Sequence, residues 1–336
     1  MRIFLSLCLV AWTFGSAEAT KYAGETFSAG VGARALGMGA AGTALPGDVT
    51  SGYWNPAALT EINGSEFMLM HSERFAGLVR YDYAAFARPL LSSTVEAPNG
   101  RPHALGLYVV RQGVDDIPET RLVDPDMPAV YIDEETGALV TNYETLGMGS
   151  DAEYLVGLSY GTRFSRGPAI GATLKALYKG VLGHSAFGVG VDLSVAGTVG
   201  GGFRLGATIR DLTLTPIVWD TGTRETIFPS LRTGLAWERD LGGARSILLA
   251  GDAQFLIEGR ETASQLWLGA ETSLDFGVGA EIRLADSVAL RAGLDTGRLS
   301  AGGTLSFGPV DVDYAFRSQA DLDDTHRVGI RYGGAR

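Results

Sequence analysis

Two glycine-containing motifs in this sequence have the spacing of known binding or reactive loops. Residues 37–42 (GMGAAG) follow the G-x-G-x-x-G pattern of a dinucleotide-binding loop, and residues 157–161 (GLSYG) follow the G-x-S-x-G pattern around a hydrolase nucleophile. A dinucleotide loop needs a buried strand directly before it, but residues 20–36 hold no continuous apolar run. A nucleophilic serine needs a sharp turn, whereas Ser159 lies in an alternating stretch. We therefore predict that the protein is not an enzyme.

The histidines do not have the spacing of a metal site. They are far apart in the chain, at His71, His103, His184 and His326. The single cysteine, Cys8, lies in an N-terminal segment that we expect to be removed. Zinc sites usually combine several such ligands at short spacing, so we predict neither a metal nor another cofactor. The net charge of −11 also argues against a nucleic-acid partner.

The first 19 residues have the pattern of a secretory signal peptide. Arg2 precedes an apolar run at residues 3–14, and Ala17-Glu-Ala19 is a small-x-small cleavage site. The alternative, a short buried helix, would carry a polar face. We predict cleavage after Ala19 and export of the remaining chain.

Most of the chain from Tyr154 onward alternates with the period of a β-strand. Phe187, Val189 and Val191, for example, alternate with glycines and with Asp192. Glycine accounts for 47 of 336 residues, a proportion that disfavours helices. Strands with two unlike faces fit either a soluble sandwich or a membrane barrel with a polar lumen.

Aromatic residues distinguish these two architectures. When the strands are followed alternately up and down, the aromatic residues fall into two groups, one near each end of the strands. One group is Tyr178, Phe187, Phe228, Phe255, Phe276 and Phe316, and the other is Tyr160, Phe164, Phe203, Trp237, Phe307 and Tyr332. Two aromatic girdles around an aliphatic band are typical of a membrane barrel. We therefore predict a transmembrane antiparallel β-barrel, an all-β fold, in the bacterial outer membrane.

About 14 strands can be counted in the barrel region. Their spans are 66–73, 76–89, 102–112, 151–163, 168–178, 185–198, 201–212, 228–239, 244–257, 275–284, 287–295, 298–308, 309–318 and 325–333. Residues 113–150 contain nine acidic residues and one basic residue, and we predict a long solvated loop there. Residues 265–274 include LWLGA, which could form an extra strand.

Charged residues of both signs are predicted to face the lumen. The principal ones are Arg80, Asp82, Asp192, Arg204, Arg210, Arg232, Glu281, Arg283, Arg291, Asp311, Asp313 and Arg331. Because an unpaired buried charge is costly, we expect neighbouring charges to form ion pairs. A selectivity filter is the alternative.

The two ends of the sequence resemble those of a known family. Residues 30–45 (GVGARALGMGAAGTAL) and 53–59 (YWNPAAL) are similar to the start of outer-membrane barrels of the PorV/PorQ-like family, which is related to the long-chain fatty acid transporter (FadL-like) family. The resemblance continues through residues 288–294, 299–303, 312–316 and 325–332. It implies a 14-stranded barrel at residues 65–336 with residues 20–64 folded into its lumen as a hatch. Residues 333–336 after Tyr332 depart from the family, whose chains end on an aromatic residue read by the barrel assembly machinery.

Five residues of the expected hatch are candidates for a gating role: Arg34, Trp54, Asn55, Pro56 and Ala57. Asn55 precedes a proline and is therefore biased towards an extended conformation, and its amide can satisfy buried backbone groups. We expect Trp54 to wedge against the barrel wall and Arg34 to pair with wall carboxylates.

The resemblance leaves two main functions open. The first is a hatch-plugged channel for uptake or export of small hydrophobic molecules, with membrane lipid and the assembly machinery as partners. The second is a non-transport component of a protein secretion or surface-attachment system, whose outer loops receive secretion-system proteins. A continuous apolar groove from loop to hatch would favour transport.

Overall fold

A computed structural model describes residues 23–90, 102–133, 135–164, 167–257, 265–269, 272–319 and 324–333. The predicted signal peptide, residues 1–19, lies outside the described residues. Within the described residues, nineteen strands follow one another: β1 (Glu66–Arg74), β2 (Val79–Pro89), β3 (His103–Leu122), β4 (Val130–Ile132), β5 (Leu139–Thr141), β6 (Tyr143–Arg163), β7 (Ala169–Val181), β8 (His184–Thr198), β9 (Phe203–Arg210), β10 (Thr215–Trp219), β11 (Arg224–Ile227), β12 (Ser230–Gly242), β13 (Arg245–Ile257), β14 (Leu266–Gly269), β15 (Thr272–Ala285), β16 (Val288–Asp295), β17 (Arg298–Phe307), β18 (Val310–Arg317) and β19 (Thr325–Gly333).

Fourteen of these strands form a closed antiparallel barrel, as predicted. They are all the strands except β4, β5, β10, β11 and β14, and each pairs with the next in chain order. The last strand returns to the first, with Phe67 opposite Tyr332 and Leu69 opposite Ile330. We call the end where β1 begins and β19 finishes the terminal end, and the opposite end the long-loop end.

The two faces of the barrel strands have different surroundings. Outward side chains such as Leu174 and Phe187 are 55% and 56% exposed. The alternate positions, among them Thr173 and Asp192, are buried in the lumen. No helix among the described residues is long and apolar enough to cross a membrane.

The structure corrects the prediction of a loop at residues 113–150. β3 and β6 continue as a paired hairpin beyond their barrel neighbours, because β2 reaches only Gly113 of β3 and β7 reaches only Asp151 of β6. β4 and β5 form a second small sheet further along the same connection. Outside the barrel, both faces of this hairpin are exposed to water, so apolar and polar residues need not alternate along its strands. A search for residues that alternate with a period of two therefore does not detect these strands.

The segment at residues 265–274 does not add a barrel strand. Its β14 pairs only with the start of β15, with Leu266 opposite Leu274. β13 pairs directly with β15 along the wall, from Ser246 opposite Arg283 to Ile257 opposite Thr272. The number of strands in the barrel therefore stays even.

Candidate functional site in the lumen

The N-terminal segment, residues 23–64, lies inside the barrel. It contains short α-helices at Ala33–Gly37 and Ser51–Trp54 and 3-10 helices at Glu25–Ser28 and Pro56–Glu61. Most of its residues are buried, and its apolar side chains share one core with inward side chains of the wall such as Tyr83 and Tyr108. The segment thus occupies space that would otherwise be the lumen.

The side chain of Asn55 forms hydrogen bonds both within this segment and with the wall. Its backbone is extended, with φ −159° and ψ 92°, as predicted for a residue before proline. Its Nδ2 donates to the Thr43 carbonyl at 2.8 Å and to the Val195 carbonyl of β8 at 3.1 Å, while its Oδ1 accepts from the Ala57 amide. One side chain therefore satisfies backbone groups of two parts of the segment and of the barrel.

Pro56 and Ala57 lie directly against the wall. Pro56 occupies the first turn of its 3-10 helix, where a missing N–H costs least. The Ala57 amide also donates to the Ser194 hydroxyl of β8 at 3.0 Å. The wall and the segment are thus joined by hydrogen bonds at this turn.

Trp54 packs mainly within the segment, which differs from the predicted wedge against the wall. Its Nε1 donates to the Val31 carbonyl at 2.9 Å, and its ring is so close to Gly42 that a Cβ there would collide with it. The wall contributes the guanidinium of Arg232, which lies 4.7 Å from the ring centroid. The ring can lie inward because glycines in its own segment leave it room.

Arg34 forms a charge-paired contact with the wall. Its Nε and NH2 donate to the two oxygens of Glu281 in β15 at 3.0 and 2.9 Å. Burial would lower the pKa of Arg34, but the Glu281 carboxylate, assisted by Asp48, holds that pKa above its ordinary value. Glu281 also accepts from Arg291 in β16, so one carboxylate serves two guanidinium groups.

Other predicted lumen charges also meet in pairs or contact the segment. Arg204 pairs with Glu61, Arg232 with Asp252, Asp192 with Lys175, Asp313 with Arg291, and Arg331 with Asp311. Arg210 instead donates to the Tyr53 carbonyl and lies 4.5 Å from the Tyr53 ring centroid. Arg283 is half-buried on the inward face of β15 near the terminal end.

Arg80 and Asp82 are wrongly assigned to the lumen by the sequence. In β2 the buried residues are Tyr81 and Tyr83, which puts Arg80 and Asp82 on the outward face. Asp82 there contacts His71 Nδ1 at 2.7 Å and Arg111 NH1 at 3.2 Å. Large tyrosine rings fill the lumen beside the N-terminal segment, and the charges are paired outside instead.

Glycines of the wall are contact positions for the N-terminal segment that the sequence analysis missed. A Cβ on Gly171, Gly206, Gly277 or Gly279 would collide with backbone atoms of the N-terminal segment. Without side chains at these positions, the backbone of the segment lies directly on the strands. The available signal was the position of these glycines on the inward phase of their strands.

A cavity of about 790 Å³ occupies the lumen on the long-loop side of the segment. The segment forms its floor through Ser28, Gly30 and Trp54, and its walls include Gln112 and Arg317. A second gap of about 40 Å³, lined by Phe27 and Tyr108, lies between the segment and the wall and has room for only a few water molecules. The gap between the segment and the wall is thus far smaller than the cavity on the long-loop side of the segment.

The two motifs of the sequence have structural roles here. Ser159 lies in the regular strand β6, and its hydroxyl donates to the Gly52 carbonyl at 2.9 Å. Gly37 and Gly39 contact the wall near Gly302 and Leu294. Among the residues that the structure covers, no group of three or more histidine, cysteine or acidic side chains is placed to hold a metal ion.

The fold is similar to that of several solved proteins, two of which are toluene transporters. The toluene transporter TbuX of Ralstonia pickettii is 13% identical with a TM-score of 0.55, and the alignment covers 91% of this chain and 99% of that chain. The toluene transporter TodX of P. putida is 11% identical with a TM-score of 0.57 and the same coverages. A FadL homologue of Pseudomonas aeruginosa is 11% identical with a TM-score of 0.51, covering 89% of this chain and 97% of that chain.

These likenesses establish the fold and not the activity. No protein-family model and no curated protein matches the sequence. One of the structural neighbours is a FadL homologue, and the likeness to it is one of fold. The expected relation to FadL-like barrels and the resemblance to the PorV/PorQ-like family stay predictions.

Proposed function

We propose that the protein is an outer-membrane channel for small hydrophobic molecules and that the N-terminal segment closes its lumen in the state described. The observation that carries the proposal is the 790 Å³ cavity, which ends on that segment. The names of TbuX and TodX as toluene transporters support the choice of ligand. Long loops lie outside in such barrels, so the cavity would face the exterior.

In this proposal, passage requires part of the segment to move away from the wall. The contacts at Asn55, Ala57 and Arg34 are hydrogen bonds and ion pairs, which can break and re-form. A molecule bound in the cavity would reach Trp54 at the floor, and displacement of the segment would open a route towards the terminal end.

An engineered disulfide tests this movement. A Cβ on Gly52 would lie 3.6 Å from the Cβ of Ser159, within the range of about 3.5–4.5 Å found in disulfides. The one native cysteine is Cys8, in the predicted signal peptide, so the pair Gly52→Cys and Ser159→Cys has no competing thiol after cleavage.

The measurement is uptake of radiolabelled toluene by intact cells that express each variant. We expect the oxidised double variant to match cells without the protein and a reductant to restore uptake. Each single cysteine variant serves as a control that should not respond to reductant. Full uptake through a completely oxidised double variant would contradict the proposal.

A docking function has one observation of its own. The β3–β6 hairpin extends beyond its barrel neighbours, and apolar side chains on this connection, Ile132, Leu139 and Met148, are 67%, 71% and 67% exposed. Exposed apolar groups of this kind are typical of protein contacts. Deletion of residues 124–141 should leave toluene uptake intact if the first proposal is right, and should abolish cross-linking to an exported protein if docking is the function.

A further inference from the structure

Strand β6 has an unpaired edge beyond the long-loop end of the barrel. Its residues 143–149 pair with β3 on one side, while β7 reaches only Asp151 on the other side. The turn after β7 adds one hydrogen bond, which the Leu182 N–H donates to the Ser150 carbonyl at 3.4 Å. Beyond that bond, no described strand pairs with this side of β6. We call residues 143–149 the free edge. At about 3.3 Å per residue they span about 23 Å, which is long enough for a whole added strand.

The opposite edge of the hairpin, on β3, is protected against further pairing. It carries Pro118, which has no N–H to donate, and the charges of Asp115 and Asp116. The free edge has no proline, and Glu144 is its only charged residue. Natural sheets block their exposed edges with proline or with charge. One edge of the hairpin is therefore blocked, and the other is open to another strand.

One face of the hairpin is apolar along the free edge. Met148 lies opposite Pro118, and Tyr143 lies opposite Leu122, so their side chains are adjacent on this face. Met148 is 67% exposed and Tyr143 is 43% exposed. A strand added to the free edge would cover this face with every second side chain, and apolar side chains would fit there best.

The other face of the hairpin carries carboxylates. Glu119 lies opposite Gly147, and its Oε2 is 3.8 Å from the place that a Cβ on Gly147 would take. Because Gly147 has no side chain, this carboxylate reaches the free edge. Glu144 lies on the same face and pairs with Arg121, the only basic residue at positions 113–150, where nine residues are acidic. An added strand with basic side chains on this face would supply positive charge that the hairpin lacks.

We propose that the free edge binds an extended segment of a partner polypeptide as an added strand, and that this segment alternates basic with apolar residues. Main-chain hydrogen bonds would form along the edge, and alternate side chains would meet the apolar face and the carboxylates. Charge complementarity favours a basic partner over a second copy of this chain, whose edge would bring like charges together. The inference deepens the docking function, on which it rests for a polypeptide as the partner, and it does not depend on the channel.

Peptide binding to the purified full-length protein tests the proposal. The probe is a short fluorescein-labelled peptide that alternates lysine and valine, and its fluorescence anisotropy in a non-ionic detergent gives the Kd. One control peptide alternates glutamate and valine, and another is the lysine–valine peptide with every backbone nitrogen methylated. We expect only the first peptide to bind, because the second has the wrong charge and the third cannot donate hydrogen bonds to the edge.

Variants with matched controls assign the binding to the free edge. Met148→Lys puts a positive charge on the apolar face and should raise the Kd about tenfold or more. Its control is Ile132→Lys on β4, since Ile132 is also 67% exposed, and this variant should keep the native Kd. Glu119→Gln should raise the Kd about threefold, as expected for the loss of one exposed ion pair. Asp126→Asn, elsewhere on the same connection, should not.

The proposal is overturned if the lysine–valine peptide does not bind, if the methylated peptide binds equally well, or if Met148→Lys and Ile132→Lys have the same Kd. Bound peptide should also slow amide hydrogen exchange at residues 143–149, and unchanged exchange would contradict strand addition. Self-association that Met148→Lys removes, without peptide binding, would identify a second copy as the occupant instead.

The outcomes for the free edge and for the proposed functions are separate. Toluene uptake by Met148→Lys should equal that of the native protein. If the peptide does not bind but deletion of residues 124–141 abolishes cross-linking to an exported protein, the free edge is rejected and the docking function is retained. If the peptide binds at the free edge and cross-linking survives the deletion, the docking role of residues 124–141 is rejected and the free edge is retained.

Discussion

Arg34 and Glu281 lie 247 positions apart in the sequence and form a two-point ion pair across the boundary between the N-terminal segment and the wall. The same carboxylate accepts from Arg291 of β16. Glu281 therefore neutralises one cation of the segment and one of the barrel, and its loss would leave two guanidinium groups in the lumen with less negative charge.

Replacement of Glu281 by glutamine should destabilise the protein by about 3–5 kcal/mol, because it breaks a buried ion pair and leaves its cations behind. Guanidinium chloride unfolding in detergent micelles gives the free energy. Glu225→Gln is the control, since Glu225 lies 4.0 Å from Lys179 at a partly exposed site and should cost about 1 kcal/mol or less. Equal losses in the two variants would show that Glu281 does not hold the segment.

The Asn55→Asp substitution should loosen the N-terminal segment. It replaces the Nδ2 donor by an anionic oxygen, which cannot donate to the carbonyls of Thr43 and Val195. Each buried carbonyl that loses its hydrogen bond should cost about 1–3 kcal/mol of stability. We expect single-channel conductance in planar bilayers to rise. Asn142→Asp, in the hairpin outside the barrel, should not change conductance, and a conductance unchanged by Asn55→Asp would contradict the role given to this side chain.

The Gly279→Ala substitution should disturb the contact between the N-terminal segment and the barrel wall. The Cβ would collide with the backbone of Met38, and overpacking of this kind costs about 1–3 kcal/mol. The matched control is Gly251→Ala, where the nearest atom would be 3.6 Å away, an ordinary contact. Thermal unfolding in detergent should show a lower Tm for Gly279→Ala alone. If both variants unfold at the native temperature, the wall glycines are not needed for the fit.

Substitutions in the outward cluster of His71, Asp82 and Arg111 should have non-additive effects on the free energy of unfolding. Asp82→Leu alone leaves Arg111 without its carboxylate and should cost about 1 kcal/mol or less, because the side chains of this cluster are partly exposed. The triple variant with leucine at all three positions should recover most of that loss, because no charge then remains. Urea unfolding of both variants measures the difference, and a triple variant less stable than Asp82→Leu would contradict the pairing.

The barrel could be predicted from the sequence because lipid on one side and the lumen on the other impose a period of two on each strand. Residues such as Val189 and Asp192 show that period directly. The alternation of β2 was assigned to the wrong faces because polarity alone puts Arg80 and Asp82 inward. The structure puts Tyr81 and Tyr83 there, packed in one core with the N-terminal segment. The pattern within β2 alone does not show that this segment lies against it.

The details of the lumen depend on distant contacts. The sequence indicated that Arg34 should meet a carboxylate, but the identity of Glu281 follows from the register of β15 against its neighbours. The close approach of Gly279 to Met38 depends on how the N-terminal segment is threaded, for which no local pattern exists.

The pairing of β1 with β19 has a consequence for biosynthesis. The first barrel strand must wait for the last one, so the ring cannot seal until the whole chain has been delivered to the membrane. The N-terminal segment must also reach the lumen, where Arg34 meets Glu281 of β15. Contacts between such distant parts of a chain form slowly, and we expect the sealing step to limit the rate at which the protein matures.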